Sequence, residues 1–207
     1  MPPDPARSAN VVWQRGQVSR DERWQALGNP GATVWLTGLP ASGKSTVAAA
    51  VEAHLLADGR AAYLLDGDNL RHGLNGDLGF SAAERAENVR RTAEVAALLA
   101  DAGVVALVAL VSPYRADRAA ARAAHDRRGL RFVEVHVATA LEECERRDPK
   151  GLYARARAGE LRGMTGIDDP YEPPEAADVV VGGTSPLDEA VAAIVAALNV
   201  NPLNARR

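Results

Sequence analysis

The sequence predicts a three-layer α/β fold, in which a parallel β-sheet is covered by helices on both faces. Short apolar segments rich in β-branched residues alternate with longer helical segments, which is typical of parallel strands joined by helical crossovers. Residues 104–110 form a continuous apolar run, as expected of a strand that is buried on both faces. The 207 residues are 47% hydrophobic and 25% charged, the composition of one globular domain.

The first half of the chain contains a short helix and then alternating strands and helices. Residues 1–10 are rich in proline and predict a tail, and Ser19 and Glu22 have the spacing of a capping box, which predicts a helix ending near Gly28. Strands are predicted over 33–37 and 62–65, a helix over 44–57 and a polar loop over 66–80. We therefore expect a tail and short helix in residues 1–28 and a single domain in residues 29–207.

The second half continues the alternation. Ser81 and Glu84 form a second capping box, which predicts a long helix that ends at Ala102, before Gly103. Strands are predicted over 104–110, 132–137 and 178–181, and helices over 115–128, 141–147 and from 185 onwards. Residues 150–174 are charged and rich in glycine and proline, with little apolar periodicity. We predict a mobile segment there, and place a lid at about 148–174.

A phosphate-binding loop is predicted between the first strand and the following helix. Residues 38–45 match the Walker A pattern G-x-x-x-x-G-K-[ST]. Its glycines let backbone N–H groups turn towards phosphate oxygens, which also meet the positive end of the helix. Lys44 is expected to act in catalysis by reaching the β- and γ-phosphates, and Ser45 is placed for Mg²⁺. The predicted ATP-binding residues here are Gly38, Leu39, Pro40, Ala41, Ser42, Gly43, Lys44, Ser45 and Thr46.

The acidic residues narrow the class of phosphate-loop protein. Neither lysine of the chain, Lys44 or Lys150, lies in the Asn/Thr-Lys-x-Asp pattern with which GTPases recognise guanine. The apolar run 104–111 is followed by serine and proline, without the carboxylate that motor-type ATPases place there. Asp66 and Asp68 instead follow the second strand, at the sheet edge where open α/β folds bind ligands. This arrangement favours a kinase that acts on a small molecule.

Charge, cysteine content and hydropathy exclude other classes. The net charge is −3, whereas a nucleic-acid-binding domain needs a surplus of Lys and Arg. The single cysteine, Cys144, excludes an internal disulfide and is typical of a reducing compartment. The longest apolar run, 104–111, is far shorter than the ~20 residues of a membrane span, and no signal peptide is visible. We therefore expect a cytoplasmic protein that binds neither a nucleic-acid polymer nor a membrane.

Further segments resemble those of the adenylylsulfate kinase (APS kinase) family, in the same order along the chain. They are DGDNLRHGLN at 66–75, DLGFS at 77–81, ERAENVRR at 84–91, SPYR at 112–115, RDPKGLY at 147–153, ARAGE at 156–160, TGIDDPYE at 165–172 and the N-terminal lead-in NVVW at 10–13. The resemblance implies a P-loop kinase fold. It also implies Mg²⁺- and ATP-dependent phosphorylation of the 3′-hydroxyl of adenosine 5′-phosphosulfate (APS), a step of sulfate assimilation.

The resemblance and the chemistry together assign roles to the catalytic candidates. Phosphoryl transfer needs mainly positioning and charge neutralisation. Asp66 is the first candidate to orient or deprotonate the 3′-hydroxyl, and it would share Mg²⁺ with Ser45, directly or through water. Asp68 is the second catalytic candidate. Ser112 matches a serine that is often described in this family as a phosphoserine intermediate. Direct in-line transfer needs no covalent step, so we expect Ser112 to contact the substrate and not to act as a nucleophile.

The same segments imply the contacts to APS. Arg71, Arg85 and Asn88 occupy substrate-binding positions of the family, and guanidinium groups suit phosphate and sulfate because they donate in a fork. Phe80 is expected to stack on the substrate adenine. Met164 stands where the family usually has phenylalanine, so a softer thioether would replace a second ring. The predicted substrate-binding residues are Asp66, Arg71, Asn75, Phe80, Arg85, Asn88, Ser112, Lys150, Leu152 and Met164.

The lid and the partners also follow from the resemblance. Arg147 is expected over the ATP adenine, and Lys150 is expected to meet phosphate or the substrate as the lid closes and excludes water. The family is commonly dimeric, so we expect a homodimer, with ATP sulfurylase as a further candidate partner.

Two other functions remain open on the sequence alone. Another small-molecule kinase of the same fold, directed to a nucleoside or sugar, would share the phosphate loop. A module that senses APS and ATP beside a sulfurylase, without turnover, would share the binding residues. Turnover with a panel of acceptors distinguishes the three.

Overall fold

The computed structural model describes residues 10, 12, 14 and 16–199, which form a five-stranded parallel sheet with helices on both faces. The strands are β1 (Ala32–Thr37), β2 (Ala62–Asp66), β3 (Val105–Ala109), β4 (Arg131–Ala138) and β5 (Val179–Gly182). The helices are α1 (Arg20–Leu27), α2 (Lys44–Ala57), α3 (Gly67–Leu70), α4 (Ala82–Ala102), α5 (Arg115–Asp126), α6 (Leu141–Arg147), α7 (Leu152–Arg157) and α8 (Leu187–Asn199). The predicted three-layer α/β class is confirmed.

The strand order β2-β3-β1-β4-β5 puts β1 at the centre of the sheet. All six residues of β1 are buried, as its apolar sequence predicts for a strand covered on both faces. From β1 the chain moves towards the β2 edge, while β4 pairs with the other side of β1. In open α/β sheets, ligands bind outside the carboxyl ends of the strands near such a change of direction. The loop that follows β1 lies there.

Two layers of helix cover the sheet. Helices α2 and α8 pack on one face, where Val51 and Ile194 are fully buried against the strands. Helices α4 and α5 pack on the other face, where Ala96 and Ala121 meet Trp35 and its neighbours. The small alanine side chains allow these helices to approach the sheet closely. The packing fixes the strand ends that border the site.

Local signals determine the helix ends. Both predicted capping boxes form, with Ser19 and Glu22 opening α1 and Ser81 and Glu84 opening α4. Helix α4 ends at Gly103, whose φ of 102° is in the left-handed region that favours glycine.

Two predicted irregular segments contain helix. The predicted loop 66–80 begins with α3, because the Asp66 carboxylate accepts from the Asp68 backbone N–H at 2.9 Å and caps the turn. The segment 150–174, which has little apolar periodicity and is predicted to be mobile, contains α7 and a buried cluster in which Tyr153 and Met164 pack against Cys144. The apolar residues of this segment are too irregularly spaced to reveal the cluster. The predicted loop was therefore wrong at residues 67–70, and the mobility of the segment 150–174 stays a prediction.

Helix α1 is attached to the end of α4. Arg20 and Arg23 both pair with the Asp101 carboxylate, at 2.7 and 2.5 Å, and Trp24 Nε1 donates to Ala100 O at 3.1 Å. The predicted tail and the 10–13 lead-in lie outside the described residues, apart from residues 10 and 12. Among the described residues, no helix is both long enough and apolar enough to span a membrane.

Candidate active site

The carboxyl ends of β2 and β3 and the loop after β1 border a cavity of about 760 Å³. It extends under residues 147–165, and it brings together most of the residues that the sequence singles out. These are Pro40, Ala41, Gly43, Lys44, Ser45, Thr46, Asp66, Asp68, Arg71, Phe80, Arg85, Asn88, Ser112, Arg147, Lys150, Leu152 and Met164. The phosphate loop and the predicted acceptor residues therefore face a single space.

The loop after β1 has the backbone conformation that a phosphate-binding turn requires. Gly38 and Gly43 have φ values of 155° and 104°, and Ala41 has 59°. A side chain at Gly38 would also place Cβ 2.6 Å from Val137 O, so only glycine fits there. Helix α2 begins directly after Gly43, which points its positive end at the cavity.

Lys44 is a buried cation held by its own loop. Its Nζ donates to the backbone oxygens of Gly38 at 3.0 Å and Leu39 at 2.7 Å. Burial lowers the pKa of Lys44 to about 8, because a low-dielectric environment disfavours the charged form. A negatively charged ligand in the loop would reverse that effect.

Ser45 and Asp66 form an oxygen pair at the floor of the cavity. Ser45 Oγ donates to Asp66 Oδ2 at 2.5 Å, while Asp66 Oδ1 accepts from the Asp68 N–H at 2.9 Å. No cluster of three or more His, Cys, Asp or Glu side chains that could hold a metal occurs in the described part of the chain. A hydroxyl and a carboxylate match the sparse oxygen set with which proteins hold Mg²⁺ alongside substrate phosphates.

Asp68 and Lys150 face each other across the cavity. Lys150 Nζ makes an ion pair with Asp68 Oδ2, which joins α3 to the segment before α7. Both side chains are more than half exposed, so the pair contributes little to stability. Each group can exchange this partner for a ligand at small cost.

The predicted acceptor residues lie at the far side of the cavity. The Phe80 ring is 63% exposed, with the Arg71 guanidinium 4.1 Å from its centroid. Arg85 donates to Thr165 Oγ1 at 2.6 Å and to Gly163 O, and so joins α4 to the 163–169 turn. Burial lowers the pKa of Arg71. Two guanidinium groups and one open aromatic face are therefore close together.

Ser112 has an unusual backbone conformation and a hydroxyl that makes two hydrogen bonds within the protein. Its φ is 39°, a left-handed value that is rare for a residue other than glycine. Its Oγ accepts from Trp35 Nε1 at 3.1 Å and lies 3.4 Å from Leu110 O, to which it donates. Neither partner is a base, so the geometry provides no activation of Ser112 as a nucleophile.

Four predicted binding residues do not line the cavity. The Gly38 and Leu39 backbone oxygens accept from Lys44, and Ser42 is buried behind the loop, where its O accepts from Thr139 Oγ1 at 2.7 Å. Asn75 is also fully buried, with its Nδ2 3.4 Å from Thr92 Oγ1. The Asn75 side chain lies in the packing between residues 70–78 and α4, so the structure does not bring it to the cavity and its substrate contact stays a prediction.

Asn88 and Met164 both reach the cavity from largely buried positions. Asn88 is 8% exposed, and its Oδ1 is buried without a hydrogen-bond partner among the described residues. A buried acceptor of this kind is costly unless a ligand satisfies it. Met164 is 6% exposed and belongs to the cluster with Tyr153 and Cys144, so it serves packing as well as lining the cavity.

Arg147 connects the phosphate loop to the loop after β5. It donates to Gly183 O at 2.6 Å and to Ser42 O at 3.3 Å, and pairs with Glu143 at 2.7 Å. Tyr153, which the sequence analysis does not single out, donates to Pro40 O at 3.0 Å and holds α7 against the phosphate loop. Thr165, the acceptor for Arg85, was also missed. The resemblance to the 147–153 and 165–172 segments was the only signal for either residue.

Comparisons with known proteins point to the same kinase family as the sequence motifs. A model of the adenylylsulphate kinase family matches residues 30–182. The adenylyl-sulfate kinase of Citrobacter koseri is 53% identical over 187 residues, covering 90% of this chain and 92% of that protein. Adenylyl-sulfate kinase 1 of Arabidopsis thaliana is 50% identical over 186 residues, covering 88% of this chain and 67% of that protein.

A solved structure shows the same fold. The APS kinase of Mycobacterium tuberculosis, solved in complex with AMPPNP and APS, matches with a TM-score of 0.80 and 54% sequence identity. The match covers 83% of this chain and 99% of that chain.

Proposed function

The chain belongs to the adenylylsulfate kinase family, and we propose on that basis that it transfers the γ-phosphoryl group of ATP to the 3′-hydroxyl of APS, yielding ADP and 3′-phosphoadenylyl sulfate. The observation that carries the proposal is the single cavity that Lys44, Asp66 and Phe80 all line. A phosphate loop alone would support many kinases. Its position opposite an aromatic ring flanked by two arginines supports a nucleotide acceptor.

The phosphate loop binds ATP in this proposal. Backbone N–H groups of residues 41 and 43–46 and the N-terminus of α2 surround the β- and γ-phosphates. Lys44 Nζ exchanges its contacts with Gly38 O and Leu39 O for phosphate oxygens and neutralises charge as it moves to the leaving group. Arg147 lies beside the loop, at the position proposed for the ATP adenine.

Ser45 and Asp66 would hold Mg²⁺, Ser45 through its hydroxyl and Asp66 directly or through water. When bound with ATP, Mg²⁺ neutralises charge on the phosphate oxygens. The 2.5 Å contact between the two side chains supports the assignment, because it brings two oxygen ligands to one point at the cavity floor.

Asp66 also orients the acceptor. Its carboxylate is fixed by two hydrogen bonds, from Ser45 Oγ and from the Asp68 N–H, so it is held in place before a substrate arrives. It accepts the hydrogen bond of the 3′-hydroxyl and takes up its proton as the oxygen attacks phosphorus. Asp68 is the second carboxylate, and it balances the charge of Lys150 between the acceptor and the lid. The ion pair between the two side chains supports this role.

The acceptor nucleotide lies along Phe80. The adenine stacks on the open face of this ring, while Arg71 and Arg85 supply positive charge for the phosphosulfate. Asn88 offers its unpaired Oδ1 as a hydrogen-bond acceptor for the substrate. Ser112 contacts the substrate and does not carry the phosphoryl group, since its hydroxyl is bonded to Trp35 Nε1 and Leu110 O and has no base beside it.

Residues 29–207 act as one kinase domain, in which the segment at about 148–174 is a lid. Its Lys150 reaches the acceptor-side carboxylate, while Tyr153 anchors α7 on the phosphate loop. Leu152 and Met164, which belong to the lid, give its inner surface an apolar lining. Closure over both nucleotides excludes water and limits hydrolysis of ATP.

The wider setting is proposed from the family resemblance. We propose a cytoplasmic homodimer that works in sulfate assimilation, with ATP sulfurylase as a candidate partner. The buried free thiol of Cys144 is compatible with a reducing compartment. Light scattering of the purified protein, alone and mixed with a sulfurylase, tests both associations.

The test is ADP release by the purified protein with Mg·ATP, with and without APS, and with nucleoside and sugar acceptors in parallel. The proposal predicts release that depends on APS. Release with another acceptor alone indicates a different small-molecule kinase, and saturable ATP binding without release indicates a sensing module. Lys44→Ala serves as the control that removes turnover without removing the acceptor site.

A further inference from the structure

Arg118 is a buried cation behind the cavity that the mechanism above does not use. Its side chain is 2% exposed, and it lies on α5, facing the sheet. Its Nε donates to Glu134 Oε1 on β4 at 2.8 Å, so the buried charge is paired. Arg118 does not line the cavity, so it has no direct route to a substrate. A buried guanidinium needs further hydrogen bonds to be tolerated, and their location defines what it does.

The two terminal nitrogens of the Arg118 guanidinium donate to different segments of the chain. Nη1 donates to Ser112 O and Nη2 donates to Glu172 O, each at 2.7 Å. Ser112 follows β3 and lines the cavity, whereas Glu172 belongs to the carboxyl end of the proposed lid. One planar group therefore fixes the distance between the cavity wall and the end of the lid.

The backbone of Ser112 explains why such support is needed. A φ of 39° is unfavourable for serine and persists only where the surroundings hold it. The Ser112 carbonyl accepts from Arg118 at 2.7 Å. Thr37 Oγ1 holds the preceding residue by donating to Val111 O at 2.7 Å, with Ser112 O 3.3 Å away. Thr37 is the last residue of β1, so the strained turn is attached to the central strand as well as to α5.

The same two segments are joined by further contacts around Arg118. The Glu172 N–H donates to Pro113 O at 2.9 Å, and the Arg115 N–H donates to Glu172 Oε2 at 2.8 Å. Tyr171 OH is hydrogen bonded to Thr37 Oγ1 at 3.2 Å, and the Arg118 guanidinium lies 6.0 Å from the Tyr171 ring centroid. The lid end and the Ser112 turn form one connected unit with Arg118 at its centre.

We propose that Arg118 is a positioning residue for the acceptor. It holds the Ser112 wall of the cavity and the end of the lid at the separation that APS binding requires. It acts through the two carbonyls that it holds and touches neither nucleotide. The inference rests on the proposed function, because it concerns the acceptor side of that site. Among the described residues, Arg118 makes no hydrogen bond to the phosphate loop, although Leu39 of that loop lines a groove beside Tyr171. We therefore expect ATP binding to depend on Arg118 much less than APS binding does.

The test compares Arg118→Lys with Arg122→Lys. Lysine at position 118 keeps a positive charge for Glu134 but lacks the fork that reaches both carbonyls. Arg122 lies one turn further along α5 and pairs with Asp178 at 2.6 Å and, more distantly, with Glu134 at 3.8 Å. Its other hydrogen bond goes to Phe132 O, so it shares Glu134 with Arg118 but holds neither the Ser112 nor the Glu172 carbonyl. It is therefore a matched arginine whose replacement should leave the basal activity unchanged.

We expect Arg118→Lys to raise the KM for APS about ten-fold, with the KM for ATP unchanged within about two-fold, because two charged hydrogen bonds behind the acceptor wall are lost. Turnover is normalised to folded protein by thermal unfolding measured on the same sample. A lower melting temperature with both KM values unchanged would show a purely structural role and overturn the proposal. Equal rises in both KM values would also overturn it.

Tyr171→Phe keeps the test valid if Arg118→Lys does not fold. It removes only the hydroxyl that binds Thr37, and we expect a rise of about two- to three-fold in the KM for APS alone. An unchanged KM for APS in this variant would overturn the proposal. Wild-type protein is assayed in parallel: no turnover with APS there would contradict the proposed function, whereas normal wild-type turnover with unaffected variants contradicts only the role of Arg118.

Discussion

Replacing Phe80 with alanine should weaken the binding of APS without weakening the fold. The ring is 63% exposed and lies at the rim of the cavity. Its removal leaves no hole in the packed core, so we expect the free energy of unfolding to change by no more than ~0.5 kcal/mol. The effect on the acceptor is much larger, because an open aromatic face is the surface on which a base can stack.

The magnitude follows from what the ring already contacts. Stacking of a base on an aromatic side chain contributes ~1–3 kcal/mol. The other face of Phe80 carries Arg71 at 4.1 Å, and removing the ring also frees that guanidinium to bind elsewhere, which offsets part of the loss. We therefore expect a net loss of ~1.4 kcal/mol, which is a ten-fold rise in the KM for APS.

The assay is steady-state ADP release, with APS varied at saturating Mg·ATP and then with ATP varied at saturating APS. The KM for ATP should stay within about two-fold of wild type, since Phe80 makes no contact with the phosphate loop. Leu98→Ala is the control: Leu98 is 65% exposed on α4 and lies outside the cavity. A change of less than about two-fold in the KM for APS, or an equal change for ATP, would refute the stacking argument.

Three further predictions concern the transfer itself. Lys44→Ala should lower kcat about 10²- to 10³-fold, because a cation on the transferring phosphate is lost, with an unchanged thermal unfolding curve; near wild-type turnover contradicts it. Asp66→Asn should lower kcat about 10²- to 10⁴-fold and leave the Kd for ATP nearly unchanged, whereas a loss confined to ATP affinity makes Asp66 a nucleotide residue. Burial lowers the pKa of Lys44 to about 8, so the free protein loses this charge between about pH 7 and pH 9. Because ATP phosphates favour the charged form, Lys44 must take up a proton on binding at the higher pH, and ATP affinity measured by calorimetry should fall about ten-fold over this range. An affinity that stays constant between these pH values contradicts the prediction.

The sequence was sufficient to predict those elements whose conformation depends on residues close together in the chain. The bounds of α2 and α6 were predicted to the residue, and both capping boxes form as expected. A glycine pattern specifies the phosphate loop because it concerns backbone conformation, which depends on the residues of the loop itself.

The sequence was insufficient where side-chain direction depends on tertiary packing. Asn75 lies in a segment that resembles the family, yet its side chain is buried against Thr92 and not in the cavity. Tyr153 and Met164 lie in a segment with little periodicity, and only the packing against Cys144 turns them inward. No sequence pattern singled out Arg118, because it donates to the backbone oxygens of Ser112 and Glu172, and any residue type provides a backbone oxygen.

In the proposed function, one cavity places the γ-phosphoryl group of ATP beside the 3′-hydroxyl of APS. The most direct measurement follows γ-³²P-labelled ATP incubated with wild-type protein, Mg²⁺ and APS, with the products separated and treated with a 3′-specific nucleotidase. We expect label on the nucleotide product, all of which this nucleotidase removes. Bound ATP without transfer of label to APS, or label at a position that the nucleotidase leaves intact, would contradict it.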